Sequence, residues 1–260
     1  MSARRSTAGP LETESAEAHA RATAAFSQEQ LLPFLLNPNS YPHRPKQVRL
    51  LQTHASYVLL APPFVYKVKK PVNFGFLDFS TLAKRRFFCE REVELNRRLC
   101  PKVYLGVIAI AVKDGRLTFG DGDEVVEYAV KMRQFSEANF LDQRVARGAV
   151  RIRDLDRIAQ TLKQFYEAQA PTEAIEAWGR VDRLKISTDE NFRQTEAFIG
   201  NTISRAAFET IRFYTDAFYR RHSALFASRI QERWIRDCHG DLHLEHIHLT
   251  PRSLHIYDCI

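Results

Sequence analysis

The chain has 260 residues and a formal net charge of +7 at pH 7, and 45% of its residues are hydrophobic. That apolar content excludes wholesale disorder, and the lack of an 18-residue apolar run or a secretion signal predicts a cytoplasmic protein without membrane contact. The positive charge favours anionic partners, but no basic run or nucleic-acid-binding motif occurs, so we expect nucleotides or phosphates rather than nucleic acid.

The first half of the chain is predicted to be rich in strands. Residues 1–26 contain almost no large apolar residues and should form a disordered tail, which a short helix over SQEQLLPFLL follows. Three strands come next, and the alternation of Phe64, Tyr66 and Val68 supports the third of them. Ordered structure is therefore expected to begin near residue 27.

A helix is predicted over STLAKRRFFCEREVELNRRL, with Ser80 as its N-cap. Glu92 is predicted on or beside the inward face of this helix, where a buried carboxylate needs a cation. Lys67 and Lys69, on one face of the preceding strand, are candidate partners, and a surface arginine is the alternative. The helical spacing assigns four apolar residues to the inward face, namely Leu82, Phe88, Leu95 and Leu99.

Three further strands follow, and the chain then changes to long helical patterns. The strands are predicted over VYLGVIAIAV, RLTFG and EVVEYAVKMRQF, and the last residues return to two short strands around a turn at residues 250–253. Strands followed by helices predict an α+β fold in two lobes. The N-lobe is assigned to residues 27–133 and the helical C-lobe to residues 134–260.

A histidine-rich segment near the end of the chain holds the candidate chemistry. Five of the nine histidines lie between His239 and His255, and Asp241 and Asp258 bracket most of them. The predicted hairpin folds the chain back, so both carboxylates can approach one cleft and provide oxygen ligands that suit Mg²⁺. By itself the segment is compatible with a metal cage, a phosphotransfer centre or a strand pair without chemistry.

The motif HGDLHLEHI followed by IYD resembles the catalytic and metal-binding loops of the aminoglycoside phosphotransferase family, small-molecule kinases with a protein-kinase-like fold. The resemblance implies that Asp241 is the catalytic aspartate, with His239 and His243 bracing its loop, and that Asp258 binds Mg²⁺. His246 stands where the family has a metal-binding asparagine. Imidazole can bind divalent ions but favours transition metals, so this departure bears on the choice of metal.

The same resemblance implies a nucleotide site in the first half. Lys67 fits the family's strand lysine better than Lys69 does, and Glu92 would complete the pair that holds the α- and β-phosphates of ATP. The glycine-free THAS turn falls where kinases cover the phosphates. Met132 and Gln134, in KMRQF, fall at the hinge whose backbone groups bind adenine. ATP and Mg²⁺ are the implied cofactors.

The first half also resembles a bacterial two-domain group in which a phosphotransferase-like domain is joined to a P-loop ATPase, gluconate-kinase-like domain. The stretches that carry this resemblance are VYKVKKPVNFGFLDFSTLAKRRFF and VYLGV. No G-x-x-x-x-G-K-[ST] motif occurs in the chain, so a P-loop domain is expected only in full-length relatives. The family continues into further helices beyond Asp258, and we therefore expect a truncated C-lobe.

Three functions follow from these patterns. The leading expectation is an ATP- and Mg²⁺-dependent phosphotransferase that acts on a hydroxyl of an unknown small-molecule acceptor. The alternative is a nucleotide-binding pseudokinase or regulatory module, which the His246 departure and the missing end of the C-lobe favour. A metallohydrolase would instead need several imidazoles on one metal, and its candidate ligands are His239, His243, His246 and His248.

Overall fold

The computed structural model describes residues 28–75 and 77–260, so the tail predicted over residues 1–26 lies outside the described residues. The fold is α+β, and it divides into two compact units. The first runs to Val150 and also includes Asp241–Ile260, and the second is Arg151–Gly240. Within the described ranges, no helix is both long enough and apolar enough to cross a membrane.

A six-stranded antiparallel sheet organises the first unit, and all the strands predicted for this half are present. Its strand order is β1-β2-β3-β6-β4-β5, so β6 lies between β3 and β4. The turn at residues 120–123 separates β5 from β6. The strands are β1 Arg49–Gln52, β2 Ser56–Ala61, β3 Phe64–Lys69, β4 Tyr104–Lys113, β5 Arg116–Phe119 and β6 Glu124–Arg133.

Each face of the sheet buries its own apolar cluster. On one face, Tyr66 and Val68 of β3 pack with Leu35, which belongs to helix α1 (Gln28–Leu36). On the other face, Val65 packs with Cys89 of helix α2 (Leu82–Arg97). Side chains alternate between the faces of a strand, so residues 65, 67 and 69 all point toward α2. The alternation predicted for β3 is therefore confirmed.

The N-cap of α2 is Thr81, which corrects the prediction of Ser80. The Thr81 hydroxyl accepts a hydrogen bond from the Lys84 N–H at 3.3 Å. The Ser80 hydroxyl instead donates to Asp78 Oδ1 at 2.6 Å. The two hydroxyls are adjacent in sequence, and competition from the Asp78 carboxylate decides which of them is free to cap the helix.

The inward face of α2 is more polar than predicted. Leu82, Phe88, Leu95 and Leu99, which were predicted on this face, are only half-buried. Polar side chains are buried there because the fold offers them partners. The Arg85 Nε, for example, donates to both carboxylate oxygens of Glu127 on β6, at 2.9 and 2.8 Å. The residues that are buried along the helix are Arg85, Cys89, Glu92, Val93 and Asn96.

The first unit continues past the predicted N-lobe boundary at residue 133. Helix α3 (Leu141–Ala146) packs on a C-terminal hairpin formed by β7 (Ile247–Leu249) and β8 (Leu254–Ile256). The hairpin itself was predicted from the sequence. Arg144 donates a hydrogen bond to the Leu249 carbonyl at 3.2 Å. These contacts explain why residues 241–260 belong to the same compact unit as the sheet.

The second unit is helical, and a change in backbone direction interrupts its longest predicted pattern. His222 has φ −106° and ψ 18°, so it ends one helix and precedes the next. Gly179 allows a close approach, because a Cβ there would lie 2.6 Å from Ile235 Cγ1. The helices are α4 Ile152–Ala168, α5 Glu173–Glu176, α6 Val181–Glu196, α7 Arg205–Arg221 and α8 Ser223–Gln231.

Candidate active site

Two lysines of β3 share one carboxylate of α2. Lys67 Nζ lies 3.0 Å from Glu92 Oε1, and Lys69 Nζ lies 2.6 Å from Glu92 Oε2. The predicted ion pair between Lys67 and Glu92 is thus present, and Lys69 forms a second one. Among the described residues, the cations that pair with Glu92 are these two lysines and not a surface arginine.

This cluster is charged although it is buried. The Glu92 side chain is only 8% exposed. Burial by itself raises the pKa of a carboxyl group, but Lys67 and Lys69 outweigh burial and lower the pKa of Glu92. Burial likewise opposes the charge of Lys67, yet Glu92 and Asp258 raise the pKa of its ammonium group above the ordinary value. Each charge therefore depends on its neighbours for its stability.

Asp258 joins this cluster from the far end of the chain. Its Oδ1 accepts a hydrogen bond from Lys67 Nζ at 2.7 Å. Burial raises the pKa of Asp258, but the nearby Lys67 ammonium lowers it by a larger amount, so the pKa lies below the ordinary value. Lys67 consequently bridges a helix carboxylate and a loop carboxylate.

The backbone around Asp258 is held in an uncommon conformation. Asp258 has φ 61°, in the left-handed region that non-glycine residues rarely adopt. The Tyr104 hydroxyl accepts a hydrogen bond from the Asp258 N–H at 3.3 Å. Asn96 binds both backbone groups of Cys259, at 2.8 Å to the N–H and 3.1 Å to the carbonyl. These contacts to β4 and α2 offset the local strain and aim the carboxylate toward Lys67.

His246 lies between the two aspartates of the motif. Its Nδ1 is 2.7 Å from the backbone carbonyl of Asp241, and its Nε2 is 3.7 Å from Asp258 Oδ2. A carbonyl can only accept a hydrogen bond, so Nδ1 carries the proton in that contact. In the neutral ring, Nε2 then has the lone pair and faces Asp258.

His243 lies on the solvent side of the same group. Its Nε2 is 3.7 Å from Asp241 Oδ2, and its ring centroid is 3.6 Å from that of His246. The Asp241 side chain is 55% exposed to solvent. His239 is buried and belongs to the second unit, whereas Asp241, His243 and His246 belong to the first.

His248 does not lie with His243 and His246. This placement corrects the candidate metallohydrolase site, in which His248 was to bind the same metal ion. His246 ends a short 3₁₀ turn (Leu244–His246) that precedes β7, so strand alternation does not relate it to His248. The His248 ring stacks on Phe135 at 4.2 Å between centroids. Burial and then the neighbouring His255 lower the pKa of His248 to about 4. This histidine is a neutral core residue at physiological pH.

The predicted hinge segment lies at the end of β6. Met132 is buried inside the sheet, opposite Val65 on one side and Tyr104 on the other. The Gln134 N–H donates to the Pro63 carbonyl at 3.0 Å. That donor is therefore engaged within the protein in this conformation.

The turn between β1 and β2 is braced by Lys70, for which the sequence motifs predicted no role. Lys70 Nζ donates to the Thr53 carbonyl at 2.7 Å, and the Lys70 N–H donates to the Ala55 carbonyl at 2.8 Å. The position of Lys70 directly after β3 is the only signal for this role in the sequence. Asn96 could have been found more easily, because it follows Glu92 by four residues and so shares its helix face.

The chain has similarity to proteins of two mycobacterial species. Over 209 residues, or 80% of this chain, it is 31% identical to uncharacterized proteins of Mycobacterium tuberculosis and Mycobacterium bovis. The match covers 40% of the length of those curated relatives. No family model and no solved structure matches the chain.

Proposed function

We propose that the chain is an ATP- and Mg²⁺-dependent phosphotransferase that transfers the γ-phosphate of ATP to a hydroxyl of a small-molecule acceptor. The observation that carries the proposal is the bridge formed by Lys67, with Glu92 at 3.0 Å on one side and Asp258 at 2.7 Å on the other. Kinases combine a strand lysine, a helix glutamate and a metal-binding aspartate in this relation.

The topology of the first unit supports a kinase-like N-lobe as part of the proposal. An antiparallel sheet carries the lysine on its third strand, and the helix with Glu92 follows that strand directly. The segment that carries Asp241 and Asp258 belongs to the same unit. A two-lobed kinase-like fold, with the second unit as the remainder of the C-lobe, is the architecture that we propose.

The charges of the cluster suit the binding of a metal–nucleotide complex. Lys67 would exchange Asp258 for phosphate oxygens, while Glu92 keeps its place because Lys69 still neutralises it. Asp258 would then be free to hold Mg²⁺, whose role is to neutralise phosphate charge. The carboxylate of Asp258 fits this hard ion, whereas the neighbouring His246 imidazole fits it less well than the amide oxygen of the family would.

The acceptor hydroxyl would meet Asp241, whose exposed side chain lies on the other side of His246 from Asp258. A carboxylate at this position can orient the hydroxyl and accept its proton as transfer proceeds. The acceptor itself, and the P-loop ATPase domain expected as a partner in full-length relatives, belong to the proposal for the whole protein.

A nucleotide-binding regulatory module is the second candidate. The observation that favours it is His246, because the imidazole replaces the oxygen ligand that would complete a Mg²⁺ site. Such a module would bind ATP and leave it intact, so measurements of binding and of turnover separate the two functions.

The test combines nucleotide binding with a phosphorylation screen on the 260-residue chain. Calorimetry with ATP and Mg²⁺ should detect binding, and labelled ATP with a library of hydroxylated and amino metabolites should identify an acceptor. Lys67→Met should lose at least about tenfold in nucleotide affinity because the phosphates lose a buried cation. Lys163→Met removes an exposed lysine and serves as the matched control. Equal affinities of wild type and Lys67→Met would contradict the proposal.

A further inference from the structure

We infer that Asp241, His243 and His246 form a binding site for a divalent transition-metal ion, and that this site is filled without nucleotide. One potential ligand atom from each of the three lies within 4.8 Å of the other two. The site shares His246 with the proposed Mg²⁺ site, but it adds a second imidazole and a carboxylate on the exposed side.

The local backbone brings the two imidazoles together. The His246 N–H donates to the His243 carbonyl at 3.0 Å and closes a 3₁₀ turn. In such a turn, side chains three residues apart lie over one another. The ring centroids of His243 and His246 are consequently 3.6 Å apart. The pair is thus arranged by a hydrogen-bonded turn and not by a chance meeting of long side chains.

The distances between donor atoms are close to those around a bound ion. Ligands about 2.0–2.2 Å from a tetrahedral or octahedral ion lie roughly 3.0–3.5 Å from one another. Asp241 Oδ2 is 3.7 Å from His243 Nε2, and a potential ligand atom of His246 lies within 4.8 Å of those of the other two residues. Small side-chain rotations would close these gaps. Asp241 and His243 are both exposed, which leaves an entry path and room for water or another ligand.

The orientation of His246 matches that of a metal-binding histidine. One ring nitrogen, Nδ1, donates to the Asp241 carbonyl at 2.7 Å. Metal-binding histidines commonly make such a contact, because it orients the ring and leaves the lone pair of the other nitrogen for the ion. That nitrogen, Nε2, lies 3.7 Å from Asp258 Oδ2, which can add a further oxygen ligand.

The donor set selects the class of ion. Two imidazoles and a carboxylate suit Zn²⁺, Co²⁺, Ni²⁺ or Cu²⁺, whereas Mg²⁺ prefers oxygen and water ligands. Mg²⁺ in phosphotransferases is held largely by the phosphates of the nucleotide, so its binding depends on ATP. A site with three protein ligands does not need that help, and nucleotide-independent binding is its distinguishing property.

The direct test is titration of the chelator-treated, nucleotide-free chain with Co²⁺, followed by its visible absorption bands. We expect micromolar or tighter binding that millimolar Mg²⁺ does not displace and that Zn²⁺ does. His243→Asn and His246→Asn should each weaken Co²⁺ binding at least about tenfold. His222→Asn, which changes an exposed histidine outside the cluster, should leave Co²⁺ affinity within about twofold of wild type.

Circular dichroism of each variant separates the loss of a ligand from the loss of folding, and His243 is exposed enough for its replacement to be tolerated. Failure of the wild type to bind Co²⁺ overturns the inference. So does unchanged affinity in His243→Asn, or an equal loss in His222→Asn.

A consequence of the site rests on the proposed function. An ion that engages Asp241 would withhold this carboxylate from the acceptor, so Zn²⁺ should inhibit phosphotransfer and His243→Asn should relieve the inhibition. Metal binding by a chain that never turns over ATP would leave the metal site intact and refute only the phosphotransferase. Turnover that Zn²⁺ does not affect, together with absent Co²⁺ binding, would refute the transition-metal site and leave the phosphotransferase proposal intact.

Discussion

Asn96 on α2 and Cys259, next to Asp258, are joined by two hydrogen bonds. The Cys259 N–H donates to Asn96 Oδ1 at 2.8 Å, and Asn96 Nδ2 donates to the Cys259 carbonyl at 3.1 Å. Both residues are buried. One amide side chain thus connects the helix that carries Glu92 with the loop that carries Asp258, and so couples the two carboxylates that Lys67 bridges.

Replacing Asn96 by alanine should loosen this loop. The buried N–H of Cys259 would lose its partner, which costs about 1–3 kcal/mol. Hydrogen exchange measured by mass spectrometry should show faster exchange in the peptide that contains Asp258 and Cys259. Asn201→Ala, at an exposed turn in the second unit, is the control and should leave that peptide unchanged. Identical exchange in wild type and Asn96→Ala would contradict the role of this contact.

Replacing each of the two aspartates of the motif by asparagine should have a different effect on phosphotransfer and nucleotide binding. Asp241→Asn is expected to lower phosphotransfer by at least about 100-fold while nucleotide affinity stays nearly constant, because the role proposed for Asp241 is to act on the acceptor. Asp258→Asn should weaken Mg²⁺-dependent nucleotide binding itself. Calorimetry and turnover assays on both variants measure the difference. An equal loss of nucleotide affinity in the two variants would show that this division of roles is wrong.

Lys69 should contribute more to stability than an exposed lysine does. Lys69→Met leaves Glu92 with one cation, Lys67, in place of two in a buried site, so the cost should stay below the about 3–5 kcal/mol of a buried charge left without any partner. Lys163→Met removes an exposed ion pair with Glu167 and should cost under about 1 kcal/mol. Urea denaturation followed by a probe in the first unit compares the two variants. A cost for Lys69→Met as small as that of the control would refute the prediction.

The loss of Arg85 should have a pH-dependent cost. Burial raises the pKa of Glu127, and the Arg85 guanidinium opposes that rise. In Arg85→Met the pKa of Glu127 should rise further, so stability is retained at low pH and lost as pH rises above 4.5, the ordinary value for glutamate. Thermal unfolding at pH 4 and pH 7 should therefore show the larger destabilisation at pH 7. Arg85→Met with Glu127→Gln should remove that difference between the two pH values.

His248 should contribute to the acid sensitivity of the first unit. Its pKa is about 4 in the fold against an ordinary 6.5, so the stability associated with the neutral ring is present above pH 6.5 and is lost as pH falls toward 4. His248→Phe keeps the stacking on Phe135 and removes the proton site. Between pH 6.5 and pH 4 the variant should lose less stability than wild type. The difference between the two proteins should grow by at most about 1.4 kcal/mol per pH unit. His54→Phe, at an exposed loop position, should follow the wild-type profile.

Much of the secondary structure of the first unit follows from local sequence patterns. The strands, the hairpin at residues 247–256 and the position of Glu92 on the inward side of α2 were all predicted, because alternation and helical spacing depend only on near neighbours. The N-cap of α2 was predicted wrongly, and the burial of Arg85 and Asn96 along the helix was not predicted. Ser80 instead binds Asp78, a local partner two residues away, whereas Arg85 is buried against Glu127 on β6, a partner that only the tertiary structure supplies.

The sequence by itself determined which side chains carry the candidate chemistry: a strand lysine, a helix glutamate, two aspartates and the histidines between them. Only the tertiary structure decided how they meet. Lys67 and Asp258 are 191 residues apart in sequence, and their contact at 2.7 Å depends on the pairing of β3 within the sheet and on the attachment of Cys259 to Asn96. Charges so distant along the chain leave no periodic pattern, because their interaction energy depends on their separation and burial in space.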